Sequence, residues 1–195
     1  MKKMLLILAA LSLVATGALA ENNEIGIYLT QDANPDNTVY NGAAGSFTAY
    51  VVLSDPWNDN TNTPIAVVGG FEFRIEVPAN MYLMGAALPP STTNFASVPE
   101  FLCGANIPVV GGNATLITLT LGEFSMTPSL VYLTPVVNAP QSVEGEMAVT
   151  DYNDDFTISN AYPVSGGHDQ PVFGLWTSVV PTEDASWGEV KSLFR

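Results

Sequence analysis

The sequence predicts an all-β fold, a two-sheet antiparallel β-sandwich, and three observations carry that prediction. Residues 65–78 (IAVVGGFEFRIEVP) alternate with a period of two, placing Ile65, Val67, Gly69, Phe71, Phe73, Ile75 and Val77 on one face and Glu72, Arg74 and Glu76 on the other. Eight or nine short apolar or alternating runs recur along the chain, separated by Gly, Pro, Asn and Asp. No interior segment sustains a helical period with caps at its ends. Strands that short, each half apolar, find burial by laying one sheet over another.

The elements follow in order. Residues 25–30 (IGIYLT) alternate as a first strand, and 31–44 form a polar loop around Asn34-Pro35-Asp36-Asn37. Residues 46–54 (SFTAYVVLS) put Phe47, Ala49, Val51 and Leu53 on one face. A second polar loop (55–64) leads into the strand at 65–78, where Gly69-Gly70 predicts a bulge or bend and Pro78 ends the ladder. Residues 81–88 read as a short strand and 89–99 as irregular chain. Residues 101–110 read as a strand that Pro108 interrupts or confines to an edge. Gly111-Gly112-Asn113 is a tight turn before 114–124 (ATLITLTLGEF), where Leu116, Thr118 and Thr120 oppose Ile117, Leu119 and Leu121. Strands at 130–137, 146–150 and 156–159 complete the set, with 172–176 as a last edge strand. The sandwich spans residues 21–179.

Residues 1–20 read as a signal peptide: Met1-Lys2-Lys3, an apolar run too short to cross a bilayer, then Ala18-Leu19-Ala20 as a small-x-small cleavage pattern. No later stretch has the length of a membrane-spanning helix. The expectation is a secreted or cell-surface protein. The whole chain carries 19 acids against 5 Lys and Arg, a formal charge of −14. Cleavage after Ala20 would leave Arg74, Lys191 and Arg195 as the bases, which argues against nucleic acid and anionic lipid as partners. Cys103, the single cysteine, can form no internal disulfide and reads as a small buried hydrophobe.

No catalytic constellation is visible. His168 stands alone on the loop Ser165-Gly166-Gly167-His168-Asp169, and no G-x-S-x-G context supplies a nucleophile. It reads as a surface loop residue. Two oxygen-rich loops, around Asp55 and Asp59 and around Asp151, Asp154 and Asp155, read first as solvated acidic loops and second as Ca²⁺ sites, since neither has EF-hand spacing. No other cofactor is implied. Trp57 and Trp176, with Tyr40 and Tyr152, are candidates for a sugar-binding face, because sugar rings stack on flat apolar surfaces; core or rim packing in the sandwich is their other reading.

The tail, residues 180–195, is a spacer followed by a predicted short amphipathic helix. Ser186 with Glu189 forms a capping box, and Trp187, Val190 and Phe194, with Leu193 beside them, fall on one face. Lys191 and Arg195 lie towards its C-terminal end, the favourable sense for the helix dipole. Two turns are marginal alone in water, so the stripe needs a partner.

Two stretches carry a resemblance. The ending Ser186-Trp187-Gly188-Glu189-Val190-Lys191-Ser192-Leu193-Phe194-Arg195 resembles a Trp-Gly-x-(Ile/Val)-Lys-x-(Leu/Met)-(Phe/Tyr)-Arg terminus found on uncharacterised exported proteins of environmental Gram-negative bacteria. The body, with Ile25-Gly26-Ile27-Tyr28 and Gly70-Phe71-Glu72-Phe73-Arg74-Ile75, is similar to secreted cohesin-like domains, sandwiches of jelly-roll or immunoglobulin-like form. The resemblance implies export, surface sorting through the tail, and a domain that binds a protein partner or belongs to a carbohydrate-active assembly. The expected function is a non-catalytic module binding a protein or glycan partner, with the tail (Trp187, Val190, Leu193, Phe194, Arg195) as sorting or docking element. The alternatives are a structural subunit of an extracellular array or filament and, behind it, a carboxylate-based hydrolase.

Overall fold

A computed structural model describes residues 22–177; the predicted leader and the predicted tail helix lie outside them. In chain order the strands are β1 (Glu24–Tyr28), β2 (Val39–Tyr40), β3 (Gly45–Ser54), β4 (Trp57–Asn58), β5 (Thr63–Pro64), β6 (Val67–Glu76) and β7 (Met81–Ala87). They continue as β8 (Thr93–Asn94), β9 (Glu100–Pro108), β10 (Asn113–Glu123), β11 (Ser129–Thr134), β12 (Met147–Asp151), β13 (Ile158–Pro163) and β14 (Phe173–Leu175). One 3-10 turn, Pro35–Asn37, is the sole helical element among the described residues, started by the Asn34 side chain accepting from Asp36 N.

The alternating stretch around Phe73 became β6, the hub of one layer. β9 bonds one edge of β6; the other edge is shared by β12 at residues 68–72 and β11 at residues 74–76. β8 extends this layer beyond β9, while β14 and then β2 extend it beyond β11. The second layer runs β1–β3–β10–β7. β13 joins the layers, antiparallel to β12 and parallel to β1. Phe71, Phe73 and Ile75 are buried, Val77 packs partly buried against the same core, and Arg74 faces outward to pair with Glu76 at 2.9 Å. Phe73 lies between Phe71 and Phe101, each ring centroid 5.5 Å away. Burying one such ring contributes about 1.5–3 kcal/mol.

Several expectations need correction. The register of β6 shifts between Val68 and Gly70, at the predicted glycine bulge, so Val68 joins the core while Val67 is only half-buried. β10 also bulges, between Thr115 and Ile117, so Leu116 and Ile117 are both buried and do not oppose each other. β14 is no edge: β11 and β2 flank it. Glu72, expected on the wet face of β6, is buried beneath the chain at Ser142, and His168 is half-buried, its ring nitrogens 3.4 Å from Leu133 O and from the Glu146 carboxylate. Cys103 is buried as expected.

Candidate binding face

The outer surface of β9–β6–β12 holds a trough of about 340 Å³. Gly70 and Gly104, facing each other across β6 and β9, leave part of its floor without side chains, and Ala148 and Thr150 of β12 continue the floor. Glycine is required at Gly70: a Cβ there would sit 2.6 Å from Cys103 O. The walls are aromatic. Phe95 is 73% exposed, with its ring over Gly104, and Phe156 is 49% exposed, with its ring beside Gly69 and Tyr152 packed edge-on at 5.4 Å. Asp155 and Phe156 both take left-handed backbone, φ 47° and 57°. Aspartate tolerates this conformation, but for a bulky phenylalanine it costs on the order of 1–2 kcal/mol. The fold therefore holds a bulky ring at the trough in a conformation the local chain disfavours.

A third wall is hung on buried carboxylates. Glu72 accepts from Ser142 N at 3.0 Å and Ser142 Oγ at 2.6 Å. Glu100, on neighbouring β9, accepts from Val137 N, Asn138 N and Ala139 N at 2.9–3.0 Å and from Asn138 Nδ2 at 2.8 Å. Burial pushes the Glu100 pKa up, but these N–H donors outweigh it and hold the carboxyl below its ordinary value. Arg74 stands opposite Glu100 in register, yet its guanidinium goes to Glu76. Away from the trough, on β10 of the other layer, Glu123 is held the same way: burial pushes its pKa up, and Ser125 Oγ and N, Met126 N and Asn80 Nδ2 bring it lower overall.

The residues singled out from sequence fall in separate places. Trp176 donates Nε1 to Gly42 O at 3.0 Å and meets Tyr40 edge-on at 6.1 Å. Trp57 lies on β4 and lines a different depression, together with Asp55. The two acidic loops do come together: Asn58 Nδ2 donates to Asp151 Oδ2 at 3.1 Å and to Asp154 Oδ2 at 3.0 Å. Asp154 is lowered by that amide and by Thr157 Oγ1. Asp59 contributes its backbone N–H to Ser159 Oγ, and Asp155 is exposed beside the trough wall. Among the described residues no three Asp, Glu, His or Cys side chains converge on one point. Trp187, Val190, Leu193, Phe194 and Arg195 lie outside the described residues.

Sequence reasoning missed Gly104, Phe95 and Phe156, which assemble only through strand pairing, and Asn58, the amide between the two loops. Gly69-Gly70 was the available signal.

No protein-family model matches the chain, and no curated protein matches it. Among solved structures, a type II cohesin domain from the cellulosome of Acetivibrio cellulolyticus is similar at 12% identity, over 82% of this chain and 98% of that one, with a TM-score of 0.48. This is the kind of domain the body of the sequence resembles. The likeness is loose, and neither an activity nor a partner follows from it.

Proposed function

We propose that the protein is a non-catalytic secreted or cell-surface module that binds a protein partner in the β9–β6–β12 trough, with residues 180–195 as its sorting or docking tail. The observation that supports this most is the glycine-floored trough between two exposed phenylalanines, Phe95 and Phe156, one held in strained backbone. A gap of that size and apolarity suits an aliphatic or aromatic side chain of a partner. A glycan fits less well, since sugar hydroxyls need several free polar groups and the Glu72 carboxylate is already occupied by Ser142. The test is retention of proteins from the culture medium by the immobilised protein and by Phe95→Ser and Phe156→Gly variants. A protein retained by the native chain and lost about tenfold or more by both variants supports the reading. Equal retention by all three, or binding on a glycan array with no protein retained, overturns it. Phe156→Gly also relieves the left-handed strain, so it should melt no lower than the native protein despite losing the partner. Removing residues 182–195 should change the distribution between medium and cell surface and leave the melting of the sandwich alone.

A second reading, a subunit of an extracellular array, draws on β7. Among the described residues this strand pairs only with β10, and Tyr82, Met84 and Phe124 stand exposed around it. An open edge beside apolar side chains favours strand-to-strand association. Scattering that grows with concentration would favour this reading; a monomer at high concentration opposes it.

A further inference from the structure

The depression at Trp57 has a separate chemistry. About 220 Å³ in volume, it is walled by Pro56, Trp57, Pro64 and Val109, with Asp55 and Gly112 at its side. Its two functional groups are held from behind. Asn23, buried, accepts from Trp57 N at 2.6 Å and donates Nδ2 to Trp57 O at 3.0 Å, fixing the backbone of the tryptophan from both directions. Asp55 sits in left-handed backbone, φ 46°, its N–H donating to Gly112 O at 2.9 Å and its carbonyl accepting from Asn23 N at 3.2 Å. Gly112, at φ 84°, leaves room for the carboxylate: a Cβ on it would come to 3.4 Å from Asp55 Oδ1.

These two side chains are not spent on the fold. Trp176 commits its indole N–H to Gly42 O, whereas Trp57 Nε1 and the Asp55 carboxylate bond no side chain or backbone group among the described residues. The sequence provides charge for only one kind of visitor. Arg74 is the single Lys or Arg among the described residues, and it is paired with Glu76, while the whole chain carries −14. A carboxylate beside an indole and two prolines offers an ion pair for a charged head and an apolar wall for a methylene stem. A lone carboxylate is too few ligands for a metal ion and too few polar groups for a sugar ring.

The geometry points to a receptor for a cationic side chain: the Asp55–Trp57 depression takes a lysine or arginine presented by a basic protein partner. This site is independent of the trough, and its test does not use the trough.

The experiment uses the exported protein labelled with ¹⁵N at tryptophan, whose Trp57 indole resonance is assigned by Trp57→Phe. The probes are capped Gly-Lys-Gly and Gly-Arg-Gly peptides. Both should move the Trp57 resonance with saturation at millimolar concentrations, on the order expected for one side chain. Raising salt to about 0.5 M should weaken the effect, as an exposed ion pair requires. Asp55→Asn should weaken it about fivefold or more while keeping the melting temperature, because Asn tolerates left-handed backbone. An equal shift with the acetyl-lysine peptide overturns the inference, as does unchanged affinity in Asp55→Asn. So does a neutral cello- or xylo-oligosaccharide that moves the resonance when the lysine peptide does not.

Discussion

Alanine at Gly70 and alanine at Gly104 should have opposite effects on stability, although the two residues face each other across β6 and β9. At Gly70 the new methyl would lie 2.6 Å from Cys103 O, where real Cβ atoms essentially never come within 3.0 Å. The obstacle is the backbone of the paired strand, so β9 itself must move. Forcing a methyl into such a place costs about 1–3 kcal/mol. The stiffer unfolded chain offsets about 0.4–1 kcal/mol of that. A net loss of about 1–2 kcal/mol lowers the melting temperature by about 2–8 °C in a domain this size. At Gly104 the nearest atom is the Phe95 ring at 3.4 Å, on a side chain 73% exposed and free to turn. There the unfolded-state effect dominates, and Gly104→Ala should melt at or slightly above the native temperature. Its methyl still rises from the trough floor, so it should weaken partner binding without unfolding anything. Thermal unfolding followed by circular dichroism separates the two. Equal melting of both variants, or a lower melting point for Gly104→Ala, would refute the account of the floor.

Three other outcomes follow from the buried polar groups. The Glu100 carboxyl lies below its ordinary value of 4.5 in the fold, so its contribution is present above the unfolded pKa and is lost as pH falls through the folded one. Glu100→Gln should therefore be less stable than the native protein in urea at pH 7, with the gap narrowing towards pH 3; a gap independent of pH would contradict this. Burial pushes the Cys103 thiol up to about 12, so iodoacetamide at pH 8 should label it only after denaturation. Asn58→Ala removes the amide between Asp151 and Asp154 and should cost about 1–3 kcal/mol, read as a lower urea midpoint; no loss would mean the two loops are held otherwise.

What could be read from the sequence was whatever repeats over a few residues. Phe71, Phe73 and Ile75 announce a buried strand face because the period of two is local, and Gly69-Gly70 announces a bulge for the same reason. The buried carboxylates of the β6 layer escaped the sequence for one reason. Glu72 looks solvated beside Arg74, but its cover is Ser142, 70 residues on, and the donors to Glu100 lie 37–39 residues downstream. A carboxylate that is satisfied by distant N–H groups leaves no mark in its own neighbourhood. Glu123 differs, because beside the distant Asn80 its donors are Ser125 and Met126, two and three residues on, and an acid two residues before a Ser at a strand end was readable. The trough needs Gly70 and Gly104 in register and so depends on pairing, which composition does not encode. Trp57 and Asp55, two residues apart, were both singled out and do meet at one depression.

The direction of the first and last strands of the described chain has a mechanical consequence. β1 runs parallel to β13, and following the antiparallel pairings from β13 through β12, β6 and β11 to β14 returns the chain to the same heading. The described chain thus enters at one pole of the sandwich and leaves at the other. Tension applied between residues 22 and 177 would act along the strands and strain many ladder bonds at once, where hairpin-like ends would unzip bond by bond. A body tethered at its C-terminal side and pulled at the other would give way at higher force than its melting temperature suggests.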